Sequence, residues 1–163
     1  MKTLAAAAEE LRARLKQLNL TSFLKSTGGK GLHIVAPILP KYEWPIIKQF
    51  SYAVAARMEG SNPALYLTKM TKASRTNKIY LDYLRNDREA TAIAPFSTRA
   101  RPGIPVAVPL NWKELRSSAQ PRFYVSSFSD WKDRLRHDPW LEMVALKQNL
   151  EAKAVRALGV KVD

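Results

Sequence analysis

Residues Leu24 to Pro37 read LKSTGGKGLHIVAP and predict two short strands joined by a polar turn at residues 26–31. Glycine allows the backbone of such a turn to take positive φ and to approach a bound group closely. Its exposed N–H groups, together with Lys30, favour an anion such as phosphate. Alternation along the second strand places His33 on the face opposite Leu32 and Ile34, where it could contact whatever the turn binds.

The turn alone leaves two interpretations open. It does not have the P-loop spacing, because no GK[ST] follows a four-residue gap. A structural glycine hairpin that carries a partly buried histidine explains the same residues without any ligand.

The charge of the chain points to a polyanionic partner. Lys and Arg total 27 against 14 Asp and Glu, which gives a formal net charge of +13 and a pI near 10.2. Such an excess favours nucleic acid first and an anionic membrane surface second. A membrane-surface protein needs a basic amphipathic helix, whereas the basic residues here are spread along the chain, so we expect DNA and no membrane.

Composition is that of a soluble globular protein, with 46% hydrophobic and 25% charged residues. The length of 163 residues predicts a single domain, 1–163. No secretory signal is evident and cysteine is absent, which excludes disulfides and thiolate metal sites and is consistent with a cytoplasmic, nucleoid-associated protein.

Apolar periodicity and turn residues predict an α+β fold, a mostly antiparallel sheet backed by helices. Asn19 is the expected C-terminal cap of the first helix. Helices are predicted at residues 4–18, 45–60, 66–73 and from Trp140 to about Leu158, the last forming a charged C-terminal helix within 142–163. Strands are predicted at residues 22–25, 32–36, 79–84, 90–94 and 105–108, with an edge strand at 122–125.

Two further segments contain candidate site residues. Asp82 lies inside the apolar run of KASRTNKIYLDYLRND, where a carboxylate must be paired or bind a metal. A structural salt bridge and a metal ligand are both compatible with this position. Arg99 and Arg101, in PFSTRARPGIPVAVPL, alternate along an extended chain and so project the same way. Paired guanidinium groups suit phosphate, although a solvated basic loop would have the same sequence.

Several segments in order resemble one family, the polymerase domain of bacterial DNA ligase D. This family belongs to the archaeo-eukaryotic primase superfamily and acts in non-homologous end joining. The resemblance covers roughly residues 4–141 and rests on STGGKGLHI, RTNKIYLDYLRND, TAIAPFSTRARPGIPVAVPLNWKEL and DPW. It implies a palm-like primase core that transfers nucleotides from a nucleoside triphosphate, with Mn²⁺ or Mg²⁺ as cofactor.

The resemblance also implies roles for individual residues. Asp82 matches a catalytic carboxylate that is a ligand of the divalent metal, and His33 matches a histidine that contacts the triphosphate. The residues implied to bind the nucleotide are Thr27, Lys30, His33, Arg75, Arg99 and Arg101.

One departure limits the inference. The family's first motif is an Asp-x-Asp pair on a strand before the helix at 4–18, and no Asp-x-Asp occurs in these 163 residues. Because two-metal catalysis needs several carboxylates, we expect this chain alone not to polymerise. A sheet without that strand has an unpaired edge, so we also expect a homodimer or a complementing N-terminal polypeptide to cover it. The family suggests a Ku-like partner as well.

Two other functions fit the same residues. The chain could be a non-enzymatic basic nucleic-acid-binding module on this fold, or a degenerate remnant without a selected activity.

Overall fold

Three α-helices and seven short strands form the regular structure of residues 4–116 and 121–161, the part of the chain that the computed structural model describes. They are α1 (Leu4–Gln17), β1 (Phe23–Ser26), β2 (Leu32–Val35), α2 (Trp44–Ser61), β3 (Tyr66–Leu67), β4 (Ile79–Tyr80), β5 (Pro105–Val106), β6 (Pro109–Leu110), β7 (Phe123–Tyr124) and α3 (Ala152–Ala157). Short 3₁₀ segments lie at Lys72–Arg75, Trp112–Arg116, Val125–Asp130, Lys132–Leu135 and Leu141–Met143. The chain divides into two compact units, Met1–Pro37 with Ile93–Gln148 and Ile38–Ala92 with Asn149–Asp163.

In the first unit, β1 is the central strand of an antiparallel sheet in the order β2-β1-β6. Leu24 is opposite Ile34 on one side and Leu110 on the other. This register places Leu24, Leu32 and Ile34 on the face that packs into the core, as alternation predicts, and leaves His33 on the other face. The predicted hairpin is confirmed.

The core of the first unit lies where this sheet packs against the segment that runs from β5 to β6. Leu24 and Val108 are fully buried, and Ala8 of α1 packs against the same cluster. The hydroxyl of Ser26 accepts a hydrogen bond of 2.9 Å from the backbone N–H of Val108, so a buried polar group is satisfied next to the core. The glycine turn is thereby attached to a rigid sheet.

Helix α1 ends as its sequence predicts. Asn19 has a φ of 59°, and the N–H of Leu20 donates to the carbonyl of Leu15 at 2.9 Å. Asparagine tolerates this left-handed conformation and so allows the chain to reverse into β1.

The predicted strand at 90–94 is wrong. Pairing with the following segment is made instead by residues 96–98: the N–H of Phe96 donates to Ala107, and Thr98 forms an isolated bridge with Val106. Val106 is also paired with Phe123 of β7. The carbonyl of Ile93 accepts a hydrogen bond from the side-chain amine of Lys25 and not from a neighbouring strand.

The second unit is organised around α2, which begins at Trp44 with Pro45 in its first turn. Phe50, Val54 and Met58 are buried, so the predicted apolar stripe is core. The helix continues through Gly60 to Ser61.

Strands β3 and β4 pair in parallel, with Tyr66 opposite Ile79. The predicted helix at 66–73 is therefore wrong, because pairing to β4 holds Tyr66 extended and its side chain is fully buried. The predicted strand at 79–84 is shortened to Ile79–Tyr80. The last hydrogen bond between these strands runs from the N–H of Leu81 to the carbonyl of Leu67. The next residue, Thr68, donates its N–H and its hydroxyl to the carboxylate of Glu59, so the pairing ends there.

The predicted helix from Trp140 to Leu158 is also wrong. Only Leu141–Met143, as a 3₁₀ turn, and Ala152–Ala157 are helical. Gln148 is held by side-chain hydrogen bonds to the backbone of Thr21 and Pro37, and residues 146–151 around it have no regular secondary structure.

The whole is a mixed α+β fold in which all strand pairs but one are antiparallel among the described residues, as predicted. None of the helices in this part of the chain combines the length and apolar character needed to cross a membrane.

Candidate phosphate-binding site

The glycine turn between β1 and β2 lies directly against β5. Gly28 has a φ of +63°, and a Cβ atom at this position would lie 3.2 Å from the carbonyl oxygen of Pro105. Only glycine fits both the left-handed backbone and this close approach. The turn is therefore fixed by tertiary packing as well as by its own sequence.

Thr27 closes the turn from within. Its hydroxyl donates a 2.9 Å hydrogen bond to the carbonyl of Gly31, and the residue is buried. Because the hydroxyl of Thr27 already donates its proton to Gly31, Thr27 shapes the turn in this arrangement. Donors to a phosphate oxygen can come from the charged side chains beside the turn.

A cavity of about 220 Å³ opens beside the turn, with Lys30 and Arg101 among its lining residues. Arg101 rests on the turn: one guanidinium nitrogen lies 3.5 Å from the position that a Cβ of Gly29 would occupy. Two residues that the sequence singled out separately are thus brought to one pocket, together with the backbone of Gly28 and Gly29. A glycine turn flanked by a lysine and an arginine can bind phosphate through N–H groups and positive charge together.

The second cluster is on the outer face of the sheet. His33 of β2 is directly opposite Lys25 of β1, so the two side chains stand on the same face. Lys25 is only 3% exposed; its amine donates to the carbonyl of Ile93 and lies 5.6 Å from the ring centroid of Trp140. Burial and the nearby charge of Arg99 lower the pKa of Lys25 below its ordinary value of 10.5.

Lys25 is a residue of this second cluster that the sequence patterns did not indicate. Alternation along β1 shows only which face of that strand Lys25 occupies, whereas its place opposite His33 depends on the register with β2. A buried lysine held by a carbonyl and an aromatic ring, with an arginine nearby, thus stands beside His33 on this face of the sheet.

Lys25→Met gives a test of this buried charge. Because the pKa of Lys25 is lowered in the folded protein, the unfolded chain holds its proton to higher pH, and the penalty for burying the charge is lost as pH rises toward 10.5. The free energy of unfolding of the natural protein, relative to Lys25→Met, should increase between pH 7 and pH 10. Urea unfolding of both proteins at each pH measures this; a difference that stays constant would contradict it.

Arg99 and Arg101 do not follow an extended chain. The N–H of Arg101 donates to the carbonyl of Arg99 at 2.8 Å, which closes a tight turn around Ala100. Arg101 is exposed and lines the pocket, whereas Arg99 is half-buried with an Nε that has no hydrogen-bond partner among the described residues. The two guanidinium groups therefore occupy different environments, and alternation does not describe them.

The two remaining predicted residues, Arg75 and Asp82, lie in the second unit and flank Tyr80. The guanidinium of Arg75 is 4.1 Å from the ring centroid of Tyr80. Burial, followed by the charge of Asp82, raises the pKa of Tyr80. Asp82 itself has a side chain 41% exposed and lies 3.6 Å from Nε of Arg85. The carboxylate is thus paired, although so exposed a pair contributes little stability.

The carboxylates of the described residues do not by themselves complete a site for a divalent metal. Within the described part of the chain, no group of three or more His, Cys, Asp or Glu residues is arranged to hold an ion. Mg²⁺ and Mn²⁺ need several oxygen ligands, and Asp82 supplies only one carboxylate. No step of metal-assisted chemistry is therefore assigned to these residues.

Comparison with known proteins agrees with the motifs and the fold. The family model for the LigD primase-polymerase domain matches residues 1–140. The multifunctional non-homologous end joining protein LigD of Pseudomonas aeruginosa is 35% identical over 147 residues, 89% of this chain and 18% of that protein. The bifunctional LigD of Bacillus subtilis is 34% identical over 119 residues, 72% of this chain and 20% of that protein.

A solved structure matches as well. The polymerase domain of Mycobacterium tuberculosis ligase D in complex with DNA superposes with a TM-score of 0.77 and 32% identity, over 86% of this chain and 48% of that one. The chain thus spans about a fifth of the length of the two full-length relatives and about half of the solved domain. These matches confirm the resemblance found in the sequence motifs, and the chain belongs to the LigD primase-polymerase family.

Proposed function

We propose that this chain binds the phosphates of a nucleoside triphosphate and of DNA, as part of a nucleotidyltransferase of double-strand break repair. The observation that carries the proposal is the meeting of Lys30 and Arg101 at the glycine turn, beside a cavity large enough for phosphate groups. Phosphoryl transfer depends mainly on positioning and on electrostatic stabilisation, which such a site supplies.

The charge of the whole chain supports DNA as the second ligand. A net charge of +13 attracts a polyanion over long distances. The structural relative from M. tuberculosis was solved in complex with DNA, and this chain shares its fold. Binding through phosphates predicts an affinity for DNA that falls steeply with salt.

The residue roles are those that the family resemblance implies, and the two clusters of the first unit support them. Thr27, Lys30 and Arg101 serve nucleotide binding at the turn, Thr27 by holding the turn in shape. His33 and Arg99 act from the face of the sheet. As the family resemblance implies, we further propose Arg75 as a nucleotide-binding residue and Asp82 as one ligand of a Mn²⁺ or Mg²⁺ ion. Because a single carboxylate cannot hold that ion, nucleotide transfer would require carboxylates other than those described here.

Nucleotide binding to single variants tests the proposal. Lys30→Ala, His33→Ala and Arg99→Ala should each weaken binding of ATP about tenfold or more, because a hydrogen bond to a charged group contributes about 1.5–3 kcal/mol. Isothermal titration calorimetry at low salt gives the affinities. Lys147→Ala, which removes an equal charge from an exposed position of the same unit, is the control and should bind like the natural protein.

The same variants separate this function from a basic module that only binds DNA. If none of the three substitutions changes the affinity for ATP, the nucleotide site is refuted. If the affinity for DNA still falls with salt and is unchanged in His33→Ala, the DNA-binding module remains. Loss of ATP binding in the three variants, with Lys147→Ala unchanged, supports the nucleotide site.

A further inference from the structure

Arg122 reaches the phosphate pocket from a part of the chain far removed from the glycine turn. It directly precedes β7, and β7 pairs antiparallel with β5, with Pro105 opposite Tyr124. This pairing brings Arg122 to the lining of the cavity that Lys30 and Arg101 share. Arg122 is exposed, so a ligand entering the cavity can reach its guanidinium.

The wall that carries Arg122 is held firmly in place. The ring of Tyr124 packs on Gly103, where an added Cβ would lie 3.0 Å from a ring carbon. The backbone carbonyl of Tyr124 accepts a 2.9 Å hydrogen bond from the indole of Trp131, a residue buried in the core cluster. The strand that follows Arg122 is thus fixed by packing, so less backbone has to be ordered when a ligand binds.

The charge of the pocket points to a ligand with more than one phosphate. Among the described residues, its lining includes three cationic side chains and no aspartate or glutamate. Three like charges around one small cavity repel one another, and a ligand with several negative charges relieves that repulsion. A single phosphate has fewer oxygens to share among a turn, a lysine and two arginines.

The volume of the pocket limits how much of a ligand it can enclose. Its volume of about 220 Å³ lies below the roughly 300–1,000 Å³ of pockets that enclose a whole drug-sized ligand. The cavity therefore suits the end of a larger molecule, and adjacent phosphates are the part of a nucleotide that the cations would select.

We propose that Arg122 is a third phosphate-binding residue of this pocket, acting with Lys30 and Arg101 on the phosphates of the nucleotide. This inference rests on the proposed function, because the same turn and the same Lys30 are used. It adds a residue that the sequence motifs did not indicate, brought to the pocket by the pairing of β7 with β5.

Inorganic pyrophosphate is the probe that tests the assignment, with inorganic phosphate for comparison. Pyrophosphate should bind the natural protein at least about tenfold more tightly than phosphate and should compete with ATP. Arg122→Gln should weaken binding of pyrophosphate and of ATP about tenfold, and Arg122→Lys should restore part of the loss. Arg136→Gln, at an exposed position in the same unit, is the charge-matched control and should have no effect.

The outcomes distinguish the two proposals. If Arg122→Gln binds pyrophosphate and ATP like the natural protein while Lys30→Ala loses both, the role of Arg122 is overturned and nucleotide binding stands. If ATP binds through Lys30 but pyrophosphate neither binds nor competes with ATP, Arg122 does not contact adjacent phosphates in this pocket and its role is likewise overturned. If neither ligand depends on Lys30, both proposals fail.

Discussion

Leu24→Ala is expected to lower the free energy of unfolding by about 2–5 kcal/mol. Leu24 is fully buried at the centre of the sheet, where its neighbours on both flanking strands are Ile34 and Leu110. Removing its side chain loses apolar burial and leaves a cavity that a close-packed sheet can close only in part. The strand carries the glycine turn at its end, so much of the nucleotide affinity should be lost as well.

Urea unfolding of the natural protein and of two variants measures this effect. Leu141→Ala removes the same side chain from a position that is 77% exposed in the same unit, and it should change stability by less than about 0.5 kcal/mol. Equal effects of the two substitutions would mean that Leu24 is not at the centre of the core.

Gly28→Ala is expected to destabilise the protein by about 1–3 kcal/mol and to weaken ATP binding. A side chain at a φ of +63° is strained by about 1–2 kcal/mol, and the new Cβ would lie 3.2 Å from the Pro105 carbonyl and 3.3 Å from the Val106 carbonyl carbon. Both contacts are with backbone, which cannot rotate away as a side chain can. The turn would have to move off β5, and Lys30 would move with it.

Gly31→Ala is the matched control for the turn. A Cβ at Gly31 would make only an ordinary contact, 3.8 Å from the Thr27 hydroxyl, and its φ is not in the left-handed region. This variant should keep nearly all of its stability and affinity, since alanine also narrows the unfolded ensemble. If both glycine variants behave alike in thermal unfolding and in calorimetry, close packing of the turn on β5 is not what makes Gly28 necessary.

Local sequence features predicted the elements that depend on neighbours in the chain. The strands on either side of the glycine turn, helix α1 with its cap at Asn19, and helix α2 with Pro45 in its first turn all follow from short-range patterns. Their alternation or helical period extends over enough residues to be read directly.

The failures have a common cause in pairing at a distance. Five strands are two residues long, too short to show any alternation, and they exist because a distant segment lies beside them. Residues 96–98, and not the predicted strand at 90–94, pair with the segment that follows. The predicted C-terminal helix is interrupted where Gln148 binds the backbone of Thr21 and Pro37. Intrinsic propensity is weaker than such long-range hydrogen bonds.

The order and identity of the residues were enough to establish the family, the glycine turn, the positive charge and the candidate residues Lys30, His33 and Arg101, since these need no knowledge of distant contacts. Folding added what no pattern contains: Lys25 buried opposite His33 and Arg122 carried to the pocket by the pairing of β7 with β5. The physical reason is that a backbone ladder can bring any two segments together, so the chemistry of its side chains depends on a register that neither segment specifies alone.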